Sequence, residues 1–74
     1  MKIYTTSKCP NCLDVKKYCD KHNIIYEEKN INIDFKSKAK LISKGLNLLP
    51  VIEIDNKFYE FSDNIFNIIG FKND

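Results

Sequence analysis

The sequence predicts an α/β fold in one domain spanning 1–74, with a four-stranded mixed sheet flanked by helices. Three observations carry this prediction. Short apolar strand-like runs alternate with helical stretches from Met1 to Gly45, two further strand-like runs meet at Asp55-Asn56, and 74 residues suffice for one domain with a thin core. A chain of this size buries only about 60% of the surface it exposes when unfolded, which leaves no room for a second functional module.

Met1 to Thr6 reads as a first strand and Ser7-Lys8 as a turn. A helix from Cys12 to His22 follows, with Cys12, Val15, Cys19 and His22 at the spacing of one buried stripe. Asn23 suits a left-handed helix end, and Ile24 to Lys29 reads as a second strand, parallel to the first by the crossover rule. Asp34 fits the cap of a helix from Phe35 to Lys44, in which Ala39, Leu41 and Ile42 supply apolar contacts and Gly45 the stop. Leu46 to Leu49 is a loop, and Pro50–Asp55 and Lys57–Glu60 form an antiparallel hairpin. Ser62 or Asp63 caps a last helix carrying Ile65, Phe66, Ile68 and Ile69, with Gly70 as its stop. The order is β-α-β-α-β-β-α.

Chemistry concentrates in Cys9-Pro10-Asn11-Cys12, at the junction of the first strand and first helix. Proline is favoured at the first helical position, because its missing N–H would have no partner there, so Pro10 puts Cys9 at or beside the N-cap. Free N–H groups and the positive end of the helix dipole then face the Cys9 sulfur, and Lys8 adds a cation. These surroundings favour the thiolate, the form that attacks disulfides. Cys9 is the expected nucleophile. Cys12, about one turn further in and more buried, is the expected resolving thiol that displaces substrate from Cys9.

Cys9-x2-Cys12 followed by Cys19-x2-His22 also offers zinc-ligand types, but a helix through Cys12 and Cys19 separates their Cα atoms by about 10 Å at ~1.5 Å per residue. No metal is expected. Cys19 is read as a core residue and His22 as a helix-end residue beyond the reach of Cys9. Net charge is +2, every basic residue is a lysine, and lysines and acids are mixed, which gives nucleic-acid binding no support. No apolar run approaches the ~18 residues of a membrane span, and no signal-type leader opens the chain. A cytoplasmic location is expected, because an odd cysteine count does not suit a secreted disulfide scaffold and a Cys-x-x-Cys beside a strand-helix-strand unit reads as catalytic; a monomer is expected as well.

Cys9-Pro10-Asn11-Cys12 opening a helix, with Leu48-Leu49-Pro50-Val51 opening the hairpin, resembles the thioredoxin fold in its minimal glutaredoxin form over almost the whole chain. The resemblance implies a thiol–disulfide oxidoreductase acting on disulfide-containing proteins or glutathione mixed disulfides, recharged by a glutathione-linked or flavoprotein reductase. It aligns Pro50 with the family's cis-proline, beside the nucleophile, and implies that the Leu49 backbone pairs with substrate. It further implies glutathione as co-substrate, with Lys8 for a carboxylate, Leu49 for the cysteinyl part, and Ser62 and Asp63 for the γ-glutamyl end. The chain departs from the family at Glu60-Phe61, where two glycines are usual, and at Asn11, where tyrosine is frequent. Two alternatives stay open: the thioredoxin-reductase-fed glutaredoxin-like donors to ribonucleotide reductase, and a module holding an iron–sulfur cluster between Cys9 thiolates of two copies and outside thiols.

Overall fold

The computed structural model describes residues 1–72. It contains β1 (Lys2–Thr5), α1 (Pro10–Lys21), β2 (Glu27–Asn30), α2 (Phe35–Ser43), β3 (Val51–Ile54), β4 (Lys57–Tyr59) and α3 (Ile65–Lys72). The sheet order is β2-β1-β3-β4, with β1 parallel to β2 and antiparallel to β3, and β3 antiparallel to β4. Alternation along the central strands separates two cores. Ile3, Ile52 and Ile54 pack with Val15 and Cys19 of α1 and Ile65 and Ile69 of α3. Tyr4 and Val51 point the other way and pack with Leu41 of α2. Being central and covered on both faces, β3 is buried at all four positions.

Caps explain where the helices end. The Cys19 carbonyl accepts from Ile24 N–H at 2.8 Å and the Asp20 carbonyl from Asn23 N–H at 3.3 Å, while Asn23 takes φ +56°. This double bond with a left-handed residue is the Schellman stop, and it corrects the expected second strand. With Ile24 tied back to α1, pairing with β1 starts only at Glu27, and Ile25 is left 90% exposed. The same motif ends α2, where Leu46 N–H donates to Leu41, Gly45 N–H donates to Ile42, and Gly45 takes φ +71°. At its start, Asp34 caps Ser37 N–H at 3.2 Å. Asp55 and Asn56 both take positive φ, as the tight turn of a hairpin requires.

The helices also differ from the sequence reading in detail. The first helix begins at Pro10 rather than Cys12. His22 leaves the buried stripe, because as C-cap it sits exposed against Tyr18, ring centroids 4.3 Å apart. On α2 only Ser37 and Leu41 are buried; Ala39 and Ile42 face outward, a turn away from the narrow contact with β1 and β3. Gly70 does not stop the last helix, which runs on to Lys72; a Cβ there would lie 3.1 Å from the Tyr18 hydroxyl, so the glycine serves close approach to α1.

Candidate active site

Pro10 at the first helical position leaves Cys9 as the N-cap of α1, with extended backbone at φ −132° and ψ 101°. Its Sγ accepts the Cys12 N–H at 3.1 Å, the place a serine or aspartate oxygen takes at an ordinary cap. On the other side of Sγ, 3.8 Å away, stands the Leu49 carbonyl, one residue before Pro50 in the bend that leads into β3. The Leu49–Pro50 peptide bond is cis.

The second cysteine has a different environment. Cys12 is buried under the start of α1, and burial, reinforced by its bonding to Cys9, pushes its thiol up to about 12. The Thr6 main chain and the Lys16 ammonium pull the other way. Cys19 is wholly buried in the α1–α3 core, and burial, with Asp20 adding repulsion, pushes its thiol up to about 11. Of the three cysteines, Cys9 alone is partly exposed.

An open cleft of about 440 Å³ lies against this pair, lined by Thr6, Ser7, Lys8, Cys9, Cys12 and Lys16 among others. That volume suits a small molecule or one strand of a peptide. The lysines supply its positive charge. Lys16, one turn after Cys12, pairs with Glu28 at 3.1 Å, and Glu28 also accepts from the buried Thr5 hydroxyl at 2.8 Å. The Thr5 hydroxyl first, then Lys16, holds the Glu28 carboxyl below its ordinary value. Asn32 braces the approach to Cys9: its Oδ1 accepts from the Ser7 N–H at 2.8 Å and from the Thr6 hydroxyl.

The residues singled out in the sequence do not all meet. Lys8, Cys9 and Cys12 share the cleft, and Leu49 with Pro50 closes on Cys9 from the β3 side. Ser62 and Asp63 stand exposed in the connection between β4 and α3 and do not line the cleft. Neither takes the cap position of α3. The carbonyl of Asn64 accepts the first helical bond, from Ile68 N–H, and its Oδ1 accepts from Asn67. Sequence reasoning missed Lys16, whose spacing of four from Cys12 was visible, and Asn32 and Glu28, whose roles depend on which strands become neighbours. Among the described residues no three of His, Cys, Asp and Glu gather as a metal-binding group, and no helix is long and apolar enough to cross a membrane.

This architecture is thioredoxin-like. The thioredoxin-like protein BC3987, known from its crystal structure, superposes with a TM-score of 0.79 at 24% identity, covering 92% of this chain and 96% of the other. The glutaredoxin family profile matches residues 1–59. Glutaredoxin 1 of Rickettsia prowazekii (strain Madrid E) is 41% identical over 69 residues, 89% of this chain and 73% of that one. Glutaredoxin-like protein NrdH of Lactococcus lactis subsp. lactis (strain IL1403) is 33% identical over 54 residues, 73% of this chain and 75% of that one. The chain belongs to the glutaredoxin family and is a glutaredoxin-like redox protein.

Proposed function

We propose that the chain is a dithiol thiol–disulfide oxidoreductase in which Cys9 attacks and Cys12 resolves. The observation that carries this reading is the Cys9 Sγ at the N-cap of α1, partly exposed and holding the Cys12 N–H at 3.1 Å. In the first step the Cys9 thiolate attacks one sulfur of a substrate disulfide; a Cys9–substrate bond forms, the substrate S–S bond breaks, and one substrate thiolate leaves. Cys12 then gives up its proton to solvent and attacks the Cys9 sulfur, releasing the second substrate thiolate and leaving a Cys9–Cys12 disulfide. Two electrons have passed to the substrate, and an external thiol or reductase returns them. Burial of Cys12 keeps it a thiol until the mixed disulfide forms, and Lys16 stabilises its anion in the second step.

The disulfides reduced are those of proteins or glutathione mixed disulfides, with Leu49 backbone aligning the substrate beside Cys9 and Pro50 shaping that bend. Lys8 attracts a substrate carboxylate, while Ser62 and Asp63 serve a glutathione γ-glutamyl group only if the ligand reaches beyond the cleft. A second reading has its own support. Glu60 stands where the family usually has a glycine and puts a carboxylate beside Leu48, which disfavours an anionic tripeptide, and the glutaredoxin-like protein NrdH of Lactococcus lactis is among the relatives of this chain. In that reading a thioredoxin reductase recharges the pair, which donates to ribonucleotide reductase. An iron–sulfur cluster would need ligands from outside, because one chain offers a single accessible thiol. The test follows NADPH consumption with a small disulfide in two couplings, glutathione with glutathione reductase, and thioredoxin reductase alone. Turnover in the first supports the glutathione-linked reading, turnover only in the second the donor reading, and turnover in neither contradicts both.

A further inference from the structure

We propose that Glu60 is a positioning residue that clasps the segment Asn47–Pro50 and so holds the substrate-receiving backbone of Leu49 against Cys9. The inference rests on the exchange reading above. Glu60 follows the last residue of β4, and its side chain crosses to the loop that precedes β3. One carboxylate oxygen, Oε2, accepts from the Asn47 N–H at 3.1 Å and from the Leu48 N–H at 3.0 Å. The next residue completes the grip, since Phe61 N–H donates to the Leu48 carbonyl at 3.2 Å. The residue after Leu48 is Leu49, whose carbonyl stands 3.8 Å from the Cys9 sulfur.

Apart from the Phe61 bond, the Glu60 carboxylate is the group recorded on the exposed half of the loop, Asn47 and Leu48, among the described residues. Asn47 and Leu48 are exposed, Leu48 by 58%, so core packing does not hold them; Leu46 and Leu49 are only partly buried on either side. Charge-assisted hydrogen bonds to two consecutive N–H groups are stronger and more directional than neutral ones. They take the first two donors of the segment and leave Leu49 as the residue whose backbone faces the reacting sulfur. A peptide substrate that adds itself as a strand needs this backbone ordered beforehand, because otherwise binding must bear the ordering entropy. A disulfide without a peptide backbone has no such need. Glu60 therefore acts through Leu49, on substrate capture rather than on sulfur chemistry, and gives the chain a preference for peptide disulfides.

The test mixes the pre-reduced chain with excess disulfide and follows its single-turnover oxidation across disulfide concentrations. Wild type, Glu60→Ala and Glu60→Gln are compared with a cystine-bridged peptide and with bis(2-hydroxyethyl) disulfide. Glu60→Ala should raise the half-saturating peptide concentration roughly tenfold while changing the limiting rate, and the rate with the small disulfide, by less than about twofold. Glu60→Gln, which keeps a neutral acceptor for both N–H groups, should fall between wild type and Glu60→Ala. Amide hydrogen exchange at Asn47 and Leu48 should speed up more in the alanine variant than in the glutamine variant. Unchanged peptide capture in Glu60→Ala, equal losses on both disulfides, or a glutamine variant no better than alanine would overturn the proposal. A wild-type chain that reduces neither disulfide would overturn the exchange reading itself, and the amide exchange would still decide whether the clasp exists.

Discussion

At the scale of single residues, three chemically identical thiols are separated by their surroundings. Cys9 meets the Cys12 N–H and solvent, Cys12 sits buried beneath it, and Cys19 is sealed in the core with its thiol pushed up to about 11. The polar residues around them have equally distinct tasks. Tyr4 donates to the buried Glu53 at 2.5 Å, and burial followed by that carboxylate holds its hydroxyl well above the ordinary tyrosine value. Glu28 joins Thr5 to Lys16 under the cleft, and its depressed carboxyl makes a prediction about acid. A group whose folded value is lowered contributes stability that is complete above its ordinary value of 4.5 and is lost as pH falls through the folded value. Urea unfolding near neutrality and well below 4.5 should show wild type losing more stability on acidification than Glu28→Gln. Equal losses would mean that the Thr5 and Lys16 bonds do not favour the carboxylate.

At the scale of elements, the strand-to-helix junction was legible because proline and N-capping are local rules, and Cys9-Pro10 obeys both. The same holds for Asp34 and Gly45 at the two ends of α2 and for the Asp55-Asn56 turn. The misread elements are those where a neighbour overrides the local pattern. Ile24 to Tyr26 is β-prone, yet the Schellman bond from Ile24 to Cys19 occupies the residue that would have begun the strand. Gly70 looked like a stop, whereas its lack of Cβ answers to Tyr18 on another helix, whose ring is held between His22 and Phe66. Ser62 and Asp63 looked like caps, and Asn64 takes that position. The Gly70 contact can be measured. Gly70→Ala should stabilise the protein by about 1 kcal/mol in a Tyr18→Phe background, from helix propensity alone, and by less when the Tyr18 hydroxyl is present. Identical effects in the two backgrounds, read from urea midpoints, would remove the contact from the account.

At the scale of the whole molecule, the sheet order brings together parts of the site that are far apart in sequence. Since β1 and β3 are neighbours, the cysteine loop leaving β1 meets the Leu49–Pro50 bend entering β3. Since β3 and β4 form a hairpin, Glu60 at its end reaches back to Asn47 and Leu48. The cysteine pair was readable from four consecutive residues; the Glu60 contacts were not, because they arise only after the hairpin has closed. Two cores on opposite faces support this meeting point, with α1 and α3 against one and α2 against the other. Whether Cys9 attacks and Cys12 resolves is decided by trapping the intermediate between the two steps. The reduced Cys12→Ser protein would be mixed with a cystine-bridged peptide and its intact mass and modified residue determined. A persistent one-to-one mixed disulfide on Cys9 is expected, absent when Cys9→Ser is treated alike. An adduct on Cys19, or none, would contradict this assignment.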